Sequence, residues 1–445
     1  MAIDWNDVRA EVVGHLQALL RINTVNPPGN ESEAARYLAG VAAEAGIPCE
    51  LAGEPGRDNV VARLQSTGAG RPVILLGHTD VVSVEPEHWT HDPFGGDVEG
   101  GYVWGRGAVD MKNQVAANLM VMLLLRRQGV PLTRDVIMAA TADEEAGSHL
   151  GAHWLWRHRR DLVDAEYGLN ESGGDLVDID GQHFYTVQAG EKGKARMRIV
   201  ARAQPGHASV PRDDTAMYRL SKALVRLHEF QFPTIITDPV QRQLRAMGAA
   251  FGLSDDGIEA LLRDPSWDRL AALPLDADRK AMLFATTHNT AVPTIIGGGH
   301  RINVIPSEVW TDVDGRVLPG QDPAAWARQV QEAVGDEVEV HLTAGESGIA
   351  ADPTSPFFDA IAATMDAEDP GCRLLPYLVS GGTDARAFPE TKIYGFMPAR
   401  TDLDVGQLAH GHDERTHVDD LLFATRCLYS VVTRFCAETT TGVRG

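Results

Sequence analysis

Five side chains able to ligate a metal stand at the ends of apolar segments or in glycine-rich turns. They are His78 in Gly77-His-Thr-Asp-Val-Val82, Asp110 in Gly105-Arg-Gly-Ala-Val-Asp-Met-Lys112, Glu145 in Ala142-Asp-Glu-Glu-Ala-Gly147, Glu171 in Asn170-Glu-Ser-Gly173 and His410 in His410-Gly-His-Asp-Glu-Arg415. Imidazole and carboxylate without thiolate suit zinc, and equally cobalt, manganese or nickel; a thiolate-rich set would have pointed to a structural zinc. Taken singly, each has a plain explanation: a capped strand end, a helix cap at Asp110, a solvated acidic loop at Glu144-Glu145. Their joint occurrence asks for one cause, a shared metal centre.

Two neighbours extend the set. A ligating imidazole needs its second ring nitrogen held by a carboxylate or carbonyl, and Asp80, two residues beyond His78, is placed for that role. Adjacent glutamates in a turn direct their carboxylates differently, so Glu145 can bind metal while Glu144 holds water. His412 lies two residues beyond His410 and is assigned no role, and neither are His149, His153 and His158, which share a surface helix with arginines.

Positioning these groups requires strands that end together. The chain opens with a helix near 5–22 and another near 31–45, then the apolar strand at 72–76, a long helix from about 111 to 128, and strands at 135–141 and 167–170. Helix and strand in alternation predict an α/β domain with a mostly parallel sheet covered by helices, whose ligands gather beyond the carboxyl ends of the strands. From about Val187 the pattern turns to period two, at 194–201 and again at 308–314, the signature of an inserted α+β domain. A charged helical stretch follows Asp238, and the chain ends in an amphipathic helix over 418–436. The expected organisation is a catalytic domain of residues 1–187 and 349–445, interrupted by a lid at 188–348 with a helical insert at about 238–288.

Composition narrows the classes. At 445 residues, 44% hydrophobic and 23% charged, the chain is globular and long enough for several cores. Its net charge of −22 repels phosphate backbones and anionic lipid, which argues against nucleic acid and membrane as partners. The opening MAIDWNDVRAEVVGHLQALL places acids among apolar positions and reads as no secretory leader, and the longest apolar run, Leu119 to Leu125, is far short of the roughly 20 residues a membrane span needs. Cys49, Cys372, Cys427 and Cys436 are scattered, without Cys-x-x-Cys spacing, as expected of core thiols in a reducing cytoplasm. No glycine-rich dinucleotide fingerprint and no Walker loop is present.

The landmarks GHTDVV at Gly77, WGRGAVDMK at Trp104, ADEEAGS at Ala142, ESGG at Glu171, GHAS at Gly206, NVIPSE at Asn303, SGGTDAR at Ser380 and HGHDER at His410 resemble, in order and spacing, the dinuclear zinc aminoacylases, succinyl-diaminopimelate desuccinylases and glutamate carboxypeptidases. The likeness spans nearly the whole chain and implies a zinc-aminopeptidase-like catalytic domain with a ferredoxin-like lid that serves dimerisation. It implies that Asp110 bridges two divalent ions, zinc first and cobalt or manganese as alternatives. His78 and Glu171 would complete one site, and Glu145 and His410 the other. Metal coordination lowers the pKa of water from 15.7 to about 7, so a hydroxide held between the ions would attack the amide, with Glu144 as general base.

By the same likeness His207 donates to the oxyanion, Asn303 and Arg316 grip the substrate, and Gly381, Gly382 and Thr383 add donors for its carboxylate. Asn113 and Ala208 depart from residues common in the family, and the sequence around 290–294 with NVIPSE is nearer the carboxypeptidase and aminoacylase branches than the desuccinylases. The expected function is hydrolysis of an amide in an N-acyl amino acid or dipeptide, by a cytoplasmic homodimer. The alternative is a catalytically inactive relative that binds a carboxylate ligand or a protein.

Overall fold

A computed structural model describes residues 3–401 and 403–438. The chain divides into two compact units, one of Met1–Ala189, Ala351–Pro376 and Thr383–Gly445, the other of Gly190–Ala350 with Tyr377–Gly382.

In the first unit the apolar run at 72–76 is the centre of strand Gly70–His78, and Val73, Ile74, Leu75 and Leu76 are wholly buried, the condition of a strand covered on both faces. It pairs in parallel with Arg134–Thr141 on one side and Tyr167–Asn170 on the other, and Tyr167–Asn170 pairs in parallel with Lys392–Gly395. On one flank the hairpin Cys49–Glu54/Arg57–Leu64 joins antiparallel to Arg134–Thr141; on the other, Gln182–Glu191 joins Lys392–Gly395 antiparallel and pairs with Gly173–Ile179. The sheet is therefore mixed.

Helix Lys112–Gln128 is buried from Lys112 to Leu125, with its apolar run Leu119–Leu125 in the core, and stops at Gly129 in the left-handed region (φ 58°). It packs with Trp5–Leu20 and Val418–Cys436 through Val12, Leu16, Leu421, Leu428 and Val432. Among the described residues no helix is long and apolar enough to cross a membrane. All four cysteines are free, and burial pushes the thiols of Cys372 and Cys436 up to about 11 and about 12, away from the thiolate.

The second unit holds a four-stranded antiparallel sheet in the order Thr290–Gly298, Glu308–Val317, Gly193–Arg202, Val338–Glu346. Period two explains its core: Ala195, Met197, Ile199 and Ala201 all face helices Ala216–Glu229 and Pro323–Val334, against Leu220, Leu227, Trp326 and Val330. The charged stretch is four helices, Asp238–Ala250, Asp255–Arg263, Trp267–Ala271 and Ala277–Thr287, with a separate core of Val240, Leu244, Leu261, Leu270 and Leu283.

Candidate metal centre

The centre lies in the first unit, where the central strands end. His78 is the last residue of its strand, Glu171 follows Tyr167–Asn170 directly, and Glu145 sits in the turn after Arg134–Thr141. Asp110 precedes helix Lys112–Gln128 in a turn and does not cap it; the capping position is Met111. This sets aside the plain explanation of Asp110 as a helix cap. The turn needs Gly107, at φ 96°, where a Cβ would lie 2.9 Å from Lys112 Cδ and 3.0 Å from Val81 Cγ1.

The five side chains form two groups that share Asp110. Its Oδ1 is 3.1 Å from His78 Nε2, which is 3.8 Å from Glu171 Oε2, and its Oδ2 is 3.2 Å from His410 Nε2, which is 3.1 Å from Glu145 Oε2. Among the described residues, His78–Asp110–Glu171 and Asp110–Glu145–His410 are the donor groups near enough to hold an ion, with all donor atoms of each within 4.8 Å of one another. A tetrahedral ion with bonds of about 2.0–2.1 Å sets its ligand atoms about 3.3 Å apart, so the donors have the spacing of a coordination shell.

Protonation chemistry makes the same point. His78 Nδ1 is 3.0 Å from the backbone oxygen of Asp80, which can only accept, so that nitrogen carries a proton. In the neutral ring Nε2 is then a lone pair facing two carboxylates, a repulsion that either a second ring proton or a metal ion between them relieves. Burial opposes a charged His78, yet contacts with Asp110, Asp80 and Glu171 lift it well above the ordinary histidine value. At His410 hydrogen bonding to Asp110 and then Glu145 outweighs burial and raises the ring to about 10. Asp110 is held low by His410 and His78 against the effect of burial. Burial pushes Glu171 up to about 7, and burial and then Glu171 push Glu144 well above the usual carboxylate range. Glu145 Oε1 is buried without a hydrogen-bond partner. Two dications fit this donor set.

Asp80 differs in detail from its expected role. The contact with His78 Nδ1 is made by its backbone oxygen, while the carboxylate stands 3.5 Å away. That carboxylate instead accepts from Glu144 N (3.0 Å), Glu145 N (3.1 Å) and Asn26 Nδ2 (2.9 Å), orienting the turn that carries both glutamates.

Asn26, Glu31, Arg57 and Asp143 belong to this support and carry no sequence signal. Asp143 has φ 68°, Ser172 φ 67° and His410 φ 62°, so three of the ligand-bearing turns use the left-handed region unfavourable to side chains. Asp143 is kept there by Arg57 Nη2 (3.1 Å) and Asn26 Nδ2 (3.2 Å) on Oδ1 and by Leu150 N (3.0 Å) on Oδ2. Arg57 in turn forks onto buried Glu31.

The other named residues fall elsewhere. Thr383, in the first unit, accepts through Oγ1 from Asn170 Nδ2 at 2.9 Å and Ala385 N at 3.1 Å. In the second unit His207 is exposed, in the short pairing of Gly206–His207 with Val304–Ile305; its Nδ1 accepts from Ser209 N at 3.2 Å, which leaves Nε2 as the N–H donor. Asn303 is exposed and its carbonyl accepts from Ala208 N at 3.0 Å. The Arg316 guanidinium already forks onto Asp314, at 2.8 and 3.2 Å. Gly381 and Gly382 are half-buried. His412 binds Glu85 at 3.0 Å, His149 stacks on His153, and His158 lies against Trp154; none joins the donor groups.

Fold and centre thus fit a metallohydrolase, with candidate metal ligands at the carboxyl ends of a mixed sheet and a carboxylate beside them. Residues 74–434 match the peptidase family M20/M25/M40, and the chain belongs to that family. It is a metal-dependent hydrolase of amide or peptide bonds. Human aminoacylase-1 is 28% identical over 412 residues, which is 89% of this chain and 88% of that protein. Among solved structures, an M20 family metallo-carboxypeptidase from Sulfolobus solfataricus superposes with a TM-score of 0.70 at 18% identity, covering 95% of this chain and 98% of the other. Human carnosine dipeptidase 1 superposes at 0.65 and 17% identity, covering 96% and 97%.

Proposed function

We propose that the chain cleaves the amide bond of an N-acyl amino acid or a dipeptide, with zinc as the ion in both positions. The observation that carries this reading is the division of Asp110: one oxygen faces His78 and Glu171, the other faces Glu145 and His410. The ions, when bound, supply Lewis acidity that polarises the carbonyl and brings the pKa of water near neutrality. His78 with Glu171 and His410 with Glu145 would each hold one ion, with Asp110 near enough to contribute to both groups.

Glu144, its amide fixed by Asp80, takes a proton from water and passes it to the leaving nitrogen, so that water's oxygen ends on the acyl carbon and its proton on the amine. His207 is the proposed donor to the amide oxygen, supported by the proton that Ser209 leaves on Nε2. Asn303, Arg316, Gly381, Gly382 and Thr383 are the proposed carboxylate grip. A cytoplasmic homodimer is part of the proposal. The dimer is supported by Val292, Ile295 and Ile296 on edge strand Thr290–Gly298, all more than half exposed, and by Tyr218 and Val225 on helix Ala216–Glu229, also more than half exposed.

Metal analysis with a panel of N-acyl amino acids and dipeptides tests the reading. Glu144→Gln is expected to keep its metal and lose roughly 10²- to 10⁴-fold in turnover. A Glu144→Gln protein with full activity overturns the assignment of the base.

A further inference from the structure

Asp110 and His410 reach the centre from segments far apart in the sequence, and a buried ion pair outside the ligand set bonds to both segments. Glu414 is 0% exposed and Arg106 2%. The Glu414 carboxylate has every acceptor direction filled. Oε1 takes Val109 N at 2.8 Å and Asp110 N at 3.0 Å, and Oε2 takes Gly107 N at 3.0 Å and Arg106 Nη1 at 2.6 Å. The second arm of the guanidinium donates to the carbonyl of Gly411, the residue after His410, at 2.8 Å, and Gly105 N donates to the Glu414 carbonyl at 3.0 Å. The Arg106 guanidinium lies 5.3 Å from the centre of the Trp89 ring.

One ion pair therefore joins the backbone amide of the shared ligand to the backbone beside the histidine ligand. We propose that Arg106 and Glu414 are positioning residues that fix the distance between Asp110 and His410, so that they set the metal affinity of the Asp110–Glu145–His410 group. The proposal rests on the metallohydrolase reading above. A separate covalent or charge role for the pair at the substrate is not part of it.

The shape-matched change Glu414→Gln is the sharpest probe. Each carboxylate oxygen accepts two N–H donors, so an amide nitrogen meets two donors in either orientation and two hydrogen bonds are lost. Support of this kind is typically worth 10- to 100-fold in metal affinity. In a zinc competition titration with a chromophoric chelator, folded Glu414→Gln is expected to bind one ion at least tenfold more weakly than the unaltered chain, whereas Glu144→Gln is not. Affinity within twofold of the unaltered chain overturns the proposal. Should Glu414→Gln fail to fold, Arg106→Lys decides in its place. It keeps the charge but has no fork to span Glu414 and Gly411, and the same tenfold weakening is expected, with unchanged affinity overturning the idea.

Hydrogen exchange on the metal-free chain separates this claim from the functional one. Segments 105–111 and 410–415 should lose protection together in Arg106→Lys or Glu414→Gln. If they keep it, the brace is wrong, whether or not the unaltered chain binds metal. If the unaltered chain binds no ion, the metallohydrolase reading fails and the affinity claim goes with it.

Discussion

Replacing Asp80 by asparagine removes one oxygen from a wholly buried carboxylate without changing its shape. Oδ1 receives Glu144 N, and Oδ2 receives Asn26 Nδ2 and Glu145 N. The new amide settles with its nitrogen in the Oδ1 place, because the other orientation sets it against two donors. The Glu144 N–H then loses its acceptor inside the protein, a cost of about 1–3 kcal/mol, and the two surviving bonds fall from charge-assisted to neutral strength, about 1 kcal/mol each. The folded state is expected to lose about 3–5 kcal/mol in urea unfolding. Because the lost bond is the one that aims Glu144, turnover should fall on the order of 10²-fold, the cost of misplacing a reacting group by about 1 Å. Metal affinity should fall 10- to 100-fold. Steady-state kinetics on any substrate found in the panel, with chelator competition for the ion, gives both numbers. An Asp80→Asn enzyme within twofold of the unaltered one in turnover and affinity refutes the claim that this carboxylate organises the glutamate turn.

Other consequences follow from packing and charge. Lys192, wholly buried, donates to the carbonyls of Ala285 and His288, and burial, with Arg316 nearby, lowers its pKa to about 7 from 10.5. The unfolded chain binds the extra proton between those values, so stability should rise with pH across about 7–10.5, by up to about 1.4 kcal/mol per pH unit, and Lys192→Met should lose that rise in urea unfolding at pH 7 and pH 10. A Cβ at Gly151 would stand 1.7 Å from the Ala142 carbonyl oxygen, so Gly151→Ala should cost about 1–3 kcal/mol and lower turnover by shifting the 142–145 turn; an unchanged melting temperature speaks against that contact. Zinc at a free concentration 100 times its dissociation constant should stabilise the chain by about 2.7 kcal/mol per site over the chelated protein, read as a rise in melting temperature.

Much of the centre is legible because its ligands follow apolar runs. The buried strand Gly70–His78 announces His78, and the four-residue strand Tyr167–Asn170 announces Glu171. The helix Val418–Cys436 and the alternation of Glu308–Val317 were readable for the same reason, a clean period. The antiparallel margins of the sheet were less visible. The hairpin Gly173–Ile179/Gln182–Glu191 turns on Asp180-Gly181, both at positive φ (51° and 80°), a pair that signals a tight hairpin, but its strands carry a mixed pattern. The hairpin at 49–64 turns on Pro55-Gly56, where only Gly56 has positive φ (86°).

Supports made by distant partners leave no periodic trace. Arg57 and Asp143 meet across 86 positions, and nothing local to either predicts it. Asp80 shows the limit of spacing arguments. Two residues from His78 it was a natural partner for the imidazole, yet its carboxylate turns to the glutamate amides, and its backbone oxygen meets the ring.

The central claim is a pair of ions sharing Asp110, and elemental analysis of gel-filtered, zinc-reconstituted protein tests it most directly. Two ions per chain are expected in the unaltered protein, one in Glu171→Ala, one in Glu145→Ala and none firmly held in Asp110→Ala. Fewer than two ions in the unaltered chain, or two retained by folded Asp110→Ala, would contradict it.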